Sequence, residues 1–402
     1  MSHGLLAILL SLLAVTSGHA AATSDHLTVD LHCHPFMEDG MGFVFHGHFD
    51  QPLVAHDWQS LFCSEINAEA LEASGNGIVV VTLYAHPVLE APARAHIRKQ
   101  IQSAENFVAT HKNWIIARNP SQARAALAAG KRVMVLGLER ASNVLESEAD
   151  LREFVDQRGI RIVTMLHLDD DLYGGVAFMS GVKSVFTPVA WFKSLFAPEF
   201  DDHVKINSQG LTKRGVKFLH ALIEHRVWVD LSHASEKSQR NAIPILLAAG
   251  QPLLYTHVPL RRYLGIERGI SDIKIAEVQG SHGIIGVLPA EDMLLNTPIK
   301  PEFCPSGCKC DGSVAAFATQ YAEFASLIGP ASVMLGSDFN GGIAHLKPAC
   351  GTKTELDQAA GLWNMGQTPA LWQALENVGA PVPKRRTDMV DAFLEAWDRV
   401  VR

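Results

Sequence analysis

Eight short apolar runs, separated by stretches of helical periodicity, restrict this sequence to a parallel β/α architecture. They are Leu27–His32, Gly77–Leu83, Val133–Glu139, Arg161–His167, Trp228–Ser232, Leu253–His257, Gly283–Val287 and Val333–Asp338. Between them the spacing predicts helices over Ala68–Ser74, Ala95–His111, Pro120–Ala129, Glu146–Gln157, Leu211–His225, Glu236–Ala249, Ile273–Gln279 and Val314–Leu327. Two more, near Pro369–Val378 and Lys384–Val401, follow the last strand and pack outside the others. Eight is the count that closes a (β/α)8 TIM barrel. Composition alone, 48% apolar and 19% charged over 402 residues, fits either one large barrel or two small domains. No low-complexity linker and no internal repeat divides the chain, so residues 23–402 are read as a single α/β barrel domain.

The strand ends carry the chemistry. Glu139, His167, His233, His257 and Asp338 each close an apolar run, and His32 and His34 close the first in Val29-Asp30-Leu31-His32-Cys33-His34. A barrel of this class builds its active site on the C-terminal face of its strands. Alternation along a strand turns both rings of His-x-His to one face, and imidazole nitrogen and carboxylate oxygen are donors that suit zinc. The pattern reads as a metallohydrolase. Most of the nineteen histidines must nevertheless be ordinary core or surface residues, and His46, His48, His86, His220 and His225 are assigned to that class.

Residues Leu5–Val15 form a mostly apolar run too short to span a bilayer, followed by small residues that suit signal-peptidase cleavage after Ala20 or Ala22. The expectation is a signal peptide over 1–22 and an exported protein, periplasmic or secreted, without a stable membrane anchor. Six cysteines fit that compartment. Cys33 is expected to be a buried free thiol, and Cys63 has no assignment. Cys304, Cys308, Cys310 and Cys350 cluster in a loop-rich region as disulfides of open connectivity, with a zinc knuckle as the rival reading. A net charge of −8 without a basic tract argues against nucleic acid or anionic lipid as the main partner.

The chain resembles the renal, or membrane, dipeptidase family of zinc peptidases, a branch of the amidohydrolase-type barrels. The matching pieces are Asp30-Leu31-His32-Cys33-His34, Gly137-Leu138-Glu139, Leu166-His167, and Gly210-Leu211-Thr212 leading into Val229-Asp230-Leu231-Ser232-His233. They continue with Tyr255-Thr256-His257, Arg268-Gly269-Ile270-Ser271-Asp272 and Gly336-Ser337-Asp338-Phe339-Asn340-Gly341, so the resemblance covers about Thr28 to Gly342. It implies two zinc ions per chain, one held by His32, His34, Asp338 and Glu139, the other by Glu139, His233 and His257, with Glu139 bridging. Two cations sharing a water lower its pKa toward neutrality and make hydroxide available to attack an amide carbonyl. By the same resemblance Asp338 shuttles the proton, His167 steadies the oxyanion, and Arg268 holds the substrate's C-terminal carboxylate. The implied function is hydrolysis of dipeptides with a free C-terminal carboxylate, by a family whose members often pair as homodimers.

Departures from the family pattern bear on both metal and substrate. His34 stands where the family usually has Asp, which removes one negative charge from the first metal site and predicts a looser hold on that ion. Gly269 replaces a common Asn, Asn340 a common Asp, and Arg140 a frequent Gly; Arg140 either adds charge at the pocket or turns into a salt bridge. Residues 35–65 and 168–210 exceed ordinary loop length, and the second, rich in aromatics, is either a binding lid, a satellite core or a helical hairpin. Two other functions stay open: an amidohydrolase acting on N-acyl amino acids or lactams, and an exported barrel that binds metal or ligand without turnover.

Overall fold

All eight expected strands form, and they close into a cylinder. The structure, a computed structural model, describes residues 26–402 except 38–48, 50, 51, 54–63, 87–89, 91, 180–191, 193, 194, 305–310, 350 and 359. Its strands are β1 (Thr28–Cys33), β2 (Asn76–Leu83), β3 (Trp114–Ile116), β4 (Arg132–Glu139), β5 (Ile160–Thr164), β6 (Glu199–Asp201), β7 (Val204–Ile206), β8 (Trp228–Asp230), β9 (Leu254–Val258), β10 (Ile284–Val287) and β11 (Val333–Leu335). The barrel runs β1-β2-β4-β5-β8-β9-β10-β11 and returns to β1, every pair parallel, with Asp30 opposite Leu335 at the closing seam. Chain order is therefore spatial order around the wall.

The strands form because their residues are β-branched or apolar and can be covered on both faces. Every residue of β2, including Ile78, Val79, Val80 and Val81, is buried. Helices cover the outside. Asn67, Asn119, Thr212, Ser235 and Ser313 cap five of them by accepting from first-turn amides, which satisfies donors the helix itself leaves unpaired. The C-terminal helix Thr387–Val401 buries Met389, Val390, Phe393, Leu394 and Trp397, and Phe393 meets the Trp228 ring of β8 at 5.6 Å. One helix departs from expectation in detail. The segment predicted over Glu146–Gln157 starts as α-helix at Glu148–Asp150, under a Ser147–Asp150 capping box, and continues as π-helix over Leu151–Gln157.

Two features were not expected. The short β3 adds to the lower half of β4, opposite Arg132–Met134. Within 168–210 the described residues contain the antiparallel hairpin β6–β7, bound to the barrel rim by ion pairs of Asp201 with Arg240 and Arg261 and of Glu199 with Lys237. The proposed signal peptide, most of 35–65, and Trp191, Phe186, His46, His48, Cys63, Cys308, Cys310 and Cys350 lie outside the described residues. Among the described cysteines, Cys33 is a buried free thiol as expected.

Candidate metal centre

Three of the strands end just short of the residues that matter. β5 stops at Thr164, β8 at Asp230 and β11 at Leu335, while His167, His233 and Asp338 lie beyond the last ladder residue. His233 and Asp338 adopt left-handed backbone, with φ of 66° and 56°, an unusual conformation for residues other than glycine. Departing from the strand direction there turns each side chain over the barrel mouth instead of along its wall. The mouth then gathers residues from six strands.

Glu139 is the focus. Its Oε1 lies 3.6 Å from His32 Nε2, 3.6 Å from His167 Nε2, 3.4 Å from His233 Nε2 and 3.7 Å from His257 Nε2. Its Oε2 is 3.6 Å from His34 Nε2, which stands 3.2 Å from Asp338 Oδ1. All seven side chains are buried. Glu139 Oε1 accepts no hydrogen bond, an omission that costs free energy for a buried carboxylate oxygen unless another charge faces it.

Proton placement explains what belongs there. His34 Nδ1 is 3.0 Å from the Thr82 carbonyl, which can only accept, so the ring's proton is on Nδ1 and Nε2 presents a lone pair. Thr256 Oγ1 gives its own proton to Asp230 Oδ2 at 2.7 Å and so accepts from His32 Nδ1 at 3.0 Å and His257 Nδ1 at 2.8 Å. Those two rings also present bare Nε2 atoms. Burial works against a charge on His32, but Glu139 and Asp338 outweigh it and raise that ring's pKa. In the neutral rings three lone pairs converge beside a carboxylate. Such a set repels itself unless a cation stands inside, and the residues therefore fit a divalent metal.

Donor atoms fall into groups that share Glu139: His32, His34 and Glu139 on one side, Glu139, His233 and His257 on the other, each within 4.8 Å of one another. A third grouping of His32, Asp230 and His257 is equally tight, but it lies behind the rings. Asp230 there already accepts from Thr164, Ser232 and Thr256, and it serves as a brace. Burial pushes the imidazoles of His233 and His257 well below their usual pKa, with the Arg268 charge acting in the same direction on both. Burial likewise takes His167 down to about 4. Neutral imidazole is the form that ligates.

Arg268 approaches the centre from the loop after β9. Its Nη2 lies 3.1 Å from His233 Nε2 and donates to the His257 carbonyl at 2.9 Å, while Nε and Nη1 are buried without a partner. A buried guanidinium with unused donors is suited to a carboxylate. His167 Nδ1 is also without a partner, and its ring meets Tyr84 edge-on at 5.0 Å. Arg140 resolves into a salt bridge with Asp169 and donates to the His167 carbonyl at 3.1 Å, so it braces that loop. His225 is a surface residue paired with Asp156, as assigned.

The structure gathers the nominated residues at the barrel mouth, together with supports that the sequence did not flag. Thr256 and Asp230 sit inside quoted motifs and are legible as polar residues in apolar strands. Glu65 and His345 carry no such signal. His345 lies between Glu65 Oε1 and the Ser337 carbonyl, 2.9 Å from each, and Glu65 also accepts the Asn340 amide at 2.7 Å. Together they fix the turn that presents Asp338.

Comparison with known proteins agrees with this architecture. A dipeptidase of Aspergillus terreus, ataJ, is 24% identical over 60% of this chain, and the chain spans about half the length of the curated relatives it matches, 55% and 52%. A metallo peptidase from Rhodobacter sphaeroides, solved with a phosphinate mimic of L-Ala-D-Ala, superposes with a TM-score of 0.66 at 15% identity, over 93% of this chain and 99% of that one. The probable dipeptidase PvdM from Pseudomonas aeruginosa gives 0.64 at 14% identity, over 94% and 97%. These likenesses establish the (β/α)8 fold. The sequence profile of the membrane dipeptidase family, peptidase family M19, matches residues 21–187 and 175–349, and the chain belongs to that family.

Proposed function

We propose that this protein is a zinc-dependent dipeptidase that cleaves dipeptides bearing a free C-terminal carboxylate. The observation that carries the reading is the convergence of four imidazole Nε2 atoms, 3.4 to 3.7 Å away, on the otherwise unpartnered Glu139 Oε1. On this reading His32, His34, Asp338 and Glu139 hold one ion, and Glu139, His233 and His257 the other. Metal held by these residues would supply Lewis-acid polarisation of the scissile carbonyl and a water of lowered pKa.

The protein's own groups do the rest. Arg268 takes the substrate carboxylate on its free Nε and Nη1, which fixes the peptide in one direction and excludes longer chains that lack a carboxylate at that point. Asp338, at the mouth and 3.2 Å from His34, accepts the proton of the attacking water and returns it to the leaving amine. His167 donates from its ring to the oxygen that gains negative charge, and the Tyr84 ring holds the imidazole edge-on. Export completes the reading: residues 1–22 are removed as a signal peptide, and Cys304 pairs with one of Cys308, Cys310 or Cys350.

Metal content and dipeptide turnover of wild type and Glu139→Gln test it. The expected result is two ions per wild-type chain, at least one lost in the variant, and kcat/KM lower by about a hundredfold or more. A variant that keeps full turnover sinks the bridging role.

A further inference from the structure

Beside the metal centre lies a small apolar cluster that the reaction derived above does not use. Leu264, Leu288, Ala290 and Met293 form a core separate from that of the barrel, and Met179, Ile266 and Ile343 pack on it while remaining only partly buried. Connectivity locates it. Ile266 precedes Arg268 by two residues, and Met179 follows Phe178, whose carbonyl accepts the Arg268 amide at 3.2 Å. On the opposite side Ile343 follows the Asp338 turn, and the Glu291 amide donates to Ala344 at 2.9 Å, which ties that turn to the segment carrying Ala290 and Met293. The cluster fills the space between the Arg268 loop and the Asp338 loop.

A dipeptide with its carboxylate on Arg268 and its scissile nitrogen facing Asp338 places its C-terminal side chain between those same loops. Partly exposed Met179, Ile266 and Ile343 border that space. Asp338, Glu139, Asp230 and, from the turn that carries Met293, Asp292 all act on the Arg268 charge, and this negative surrounding disfavours a further carboxylate on the substrate side chain. Resting on the dipeptidase reading, we infer that this cluster is the pocket for the C-terminal side chain and selects dipeptides ending in an aliphatic residue or methionine over those ending in glycine or an acidic residue.

The test compares kcat/KM for Gly-Leu, Gly-Met, Gly-Gly and Gly-Asp with the metal-loaded full chain, as wild type, Ile343→Asn and Met179→Gln. Gly-Leu and Gly-Met are expected to exceed Gly-Gly by about tenfold or more, and each variant to narrow that ratio by about threefold or more. A ratio of two substrates measured in one preparation does not depend on the fraction folded, so a poorly folding variant still reports. Calorimetric titration with free leucine and free glycine, where no bond is cleaved, is expected to give the same order. Equal kcat/KM for all four substrates, or a ratio unmoved in both variants, overturns the pocket and leaves the dipeptidase reading intact. No turnover of any of the four overturns that reading and the pocket with it.

Discussion

Thr256 shows how much a single hydroxyl can decide. Because its proton goes to Asp230, it must accept from two rings, and so it fixes the tautomers of both His32 and His257. His34 is aligned independently, through the Thr82 carbonyl. On the two-ion reading proposed above, an imidazole at this position gives its site one negative charge fewer than a carboxylate would supply, and His34→Asp is expected to tighten retention of the more labile ion by about tenfold. Residual metal after graded chelator dialysis measures this; an equal or weaker hold in the variant refutes it. His345 is a different case. Both its ring nitrogens face acceptors, so both donate and the ring is an imidazolium paired with Glu65; burial works against that charge, but Glu65 and the Ser337 carbonyl outweigh it and raise the pKa. His345→Asn leaves a buried carboxylate unpaired and is expected to cost about 3 kcal/mol in denaturant unfolding. A cost within 0.5 kcal/mol would mean that the pair is dispensable.

At the level of the element, backbone proximity positions the site. A Cβ added at Gly286 of β10 or at Gly336, just after β11, would overlap the Thr256 carbonyl oxygen, so only glycine lets these strands close around β9. Gly336→Ala is expected to destabilise by about 3 kcal/mol or more and to lower metal content, since it displaces Thr256 and with it the His32 and His257 rings. Loops are tied by Glu267, whose carboxylate accepts the amides of Phe178, Asn207 and Glu236 at 2.9, 2.8 and 2.8 Å. That one group joins the segments after His167, after β7 and after His233. Burial raises its pKa from 4.5 to about 7, the three amides offsetting this only in part. The folded state thus binds the extra proton between those values, so the contribution is complete below pH 4.5 and is lost as pH rises through about 7. Relative to Glu267→Gln, wild type should lose on the order of 3 kcal/mol or less over that interval, read as the pH dependence of the difference in unfolding free energy. A difference that stays flat with pH counts against it.

Across the whole molecule, closing the barrel brings His32 and Asp338, three hundred residues apart, to within 3.9 Å. The collected lone pairs and carboxylates repel one another, which makes metal a contributor to folding as well as to chemistry. Chelator treatment is expected to lower the Tm by about 5 °C or more, with recovery on adding zinc. An unchanged Tm alongside measured metal loss would show that the fold tolerates the bare site.

Periodicity and strand-end residue type were enough to read the eight strands, their parallel order and the polar residues that gather at the barrel mouth, because both signals are local: a β-branched run ending in His or Glu looks the same in the chain as in the barrel. The short β3, the β6–β7 hairpin and the Glu65–His345 pair were not legible. Each owes its form to partners distant in the chain, β4 for the first, Arg240 and Arg261 for the second, the Asp338 turn for the third. Tertiary structure alone decided which nitrogen of the His32, His34 and His257 rings carries its proton, that Arg140 turns to Asp169, and that His233 and Asp338 leave their strands to face the centre. Those outcomes depend on which acceptor lies within hydrogen-bonding distance after the barrel closes, and no property of a residue's immediate neighbours in sequence encodes that distance.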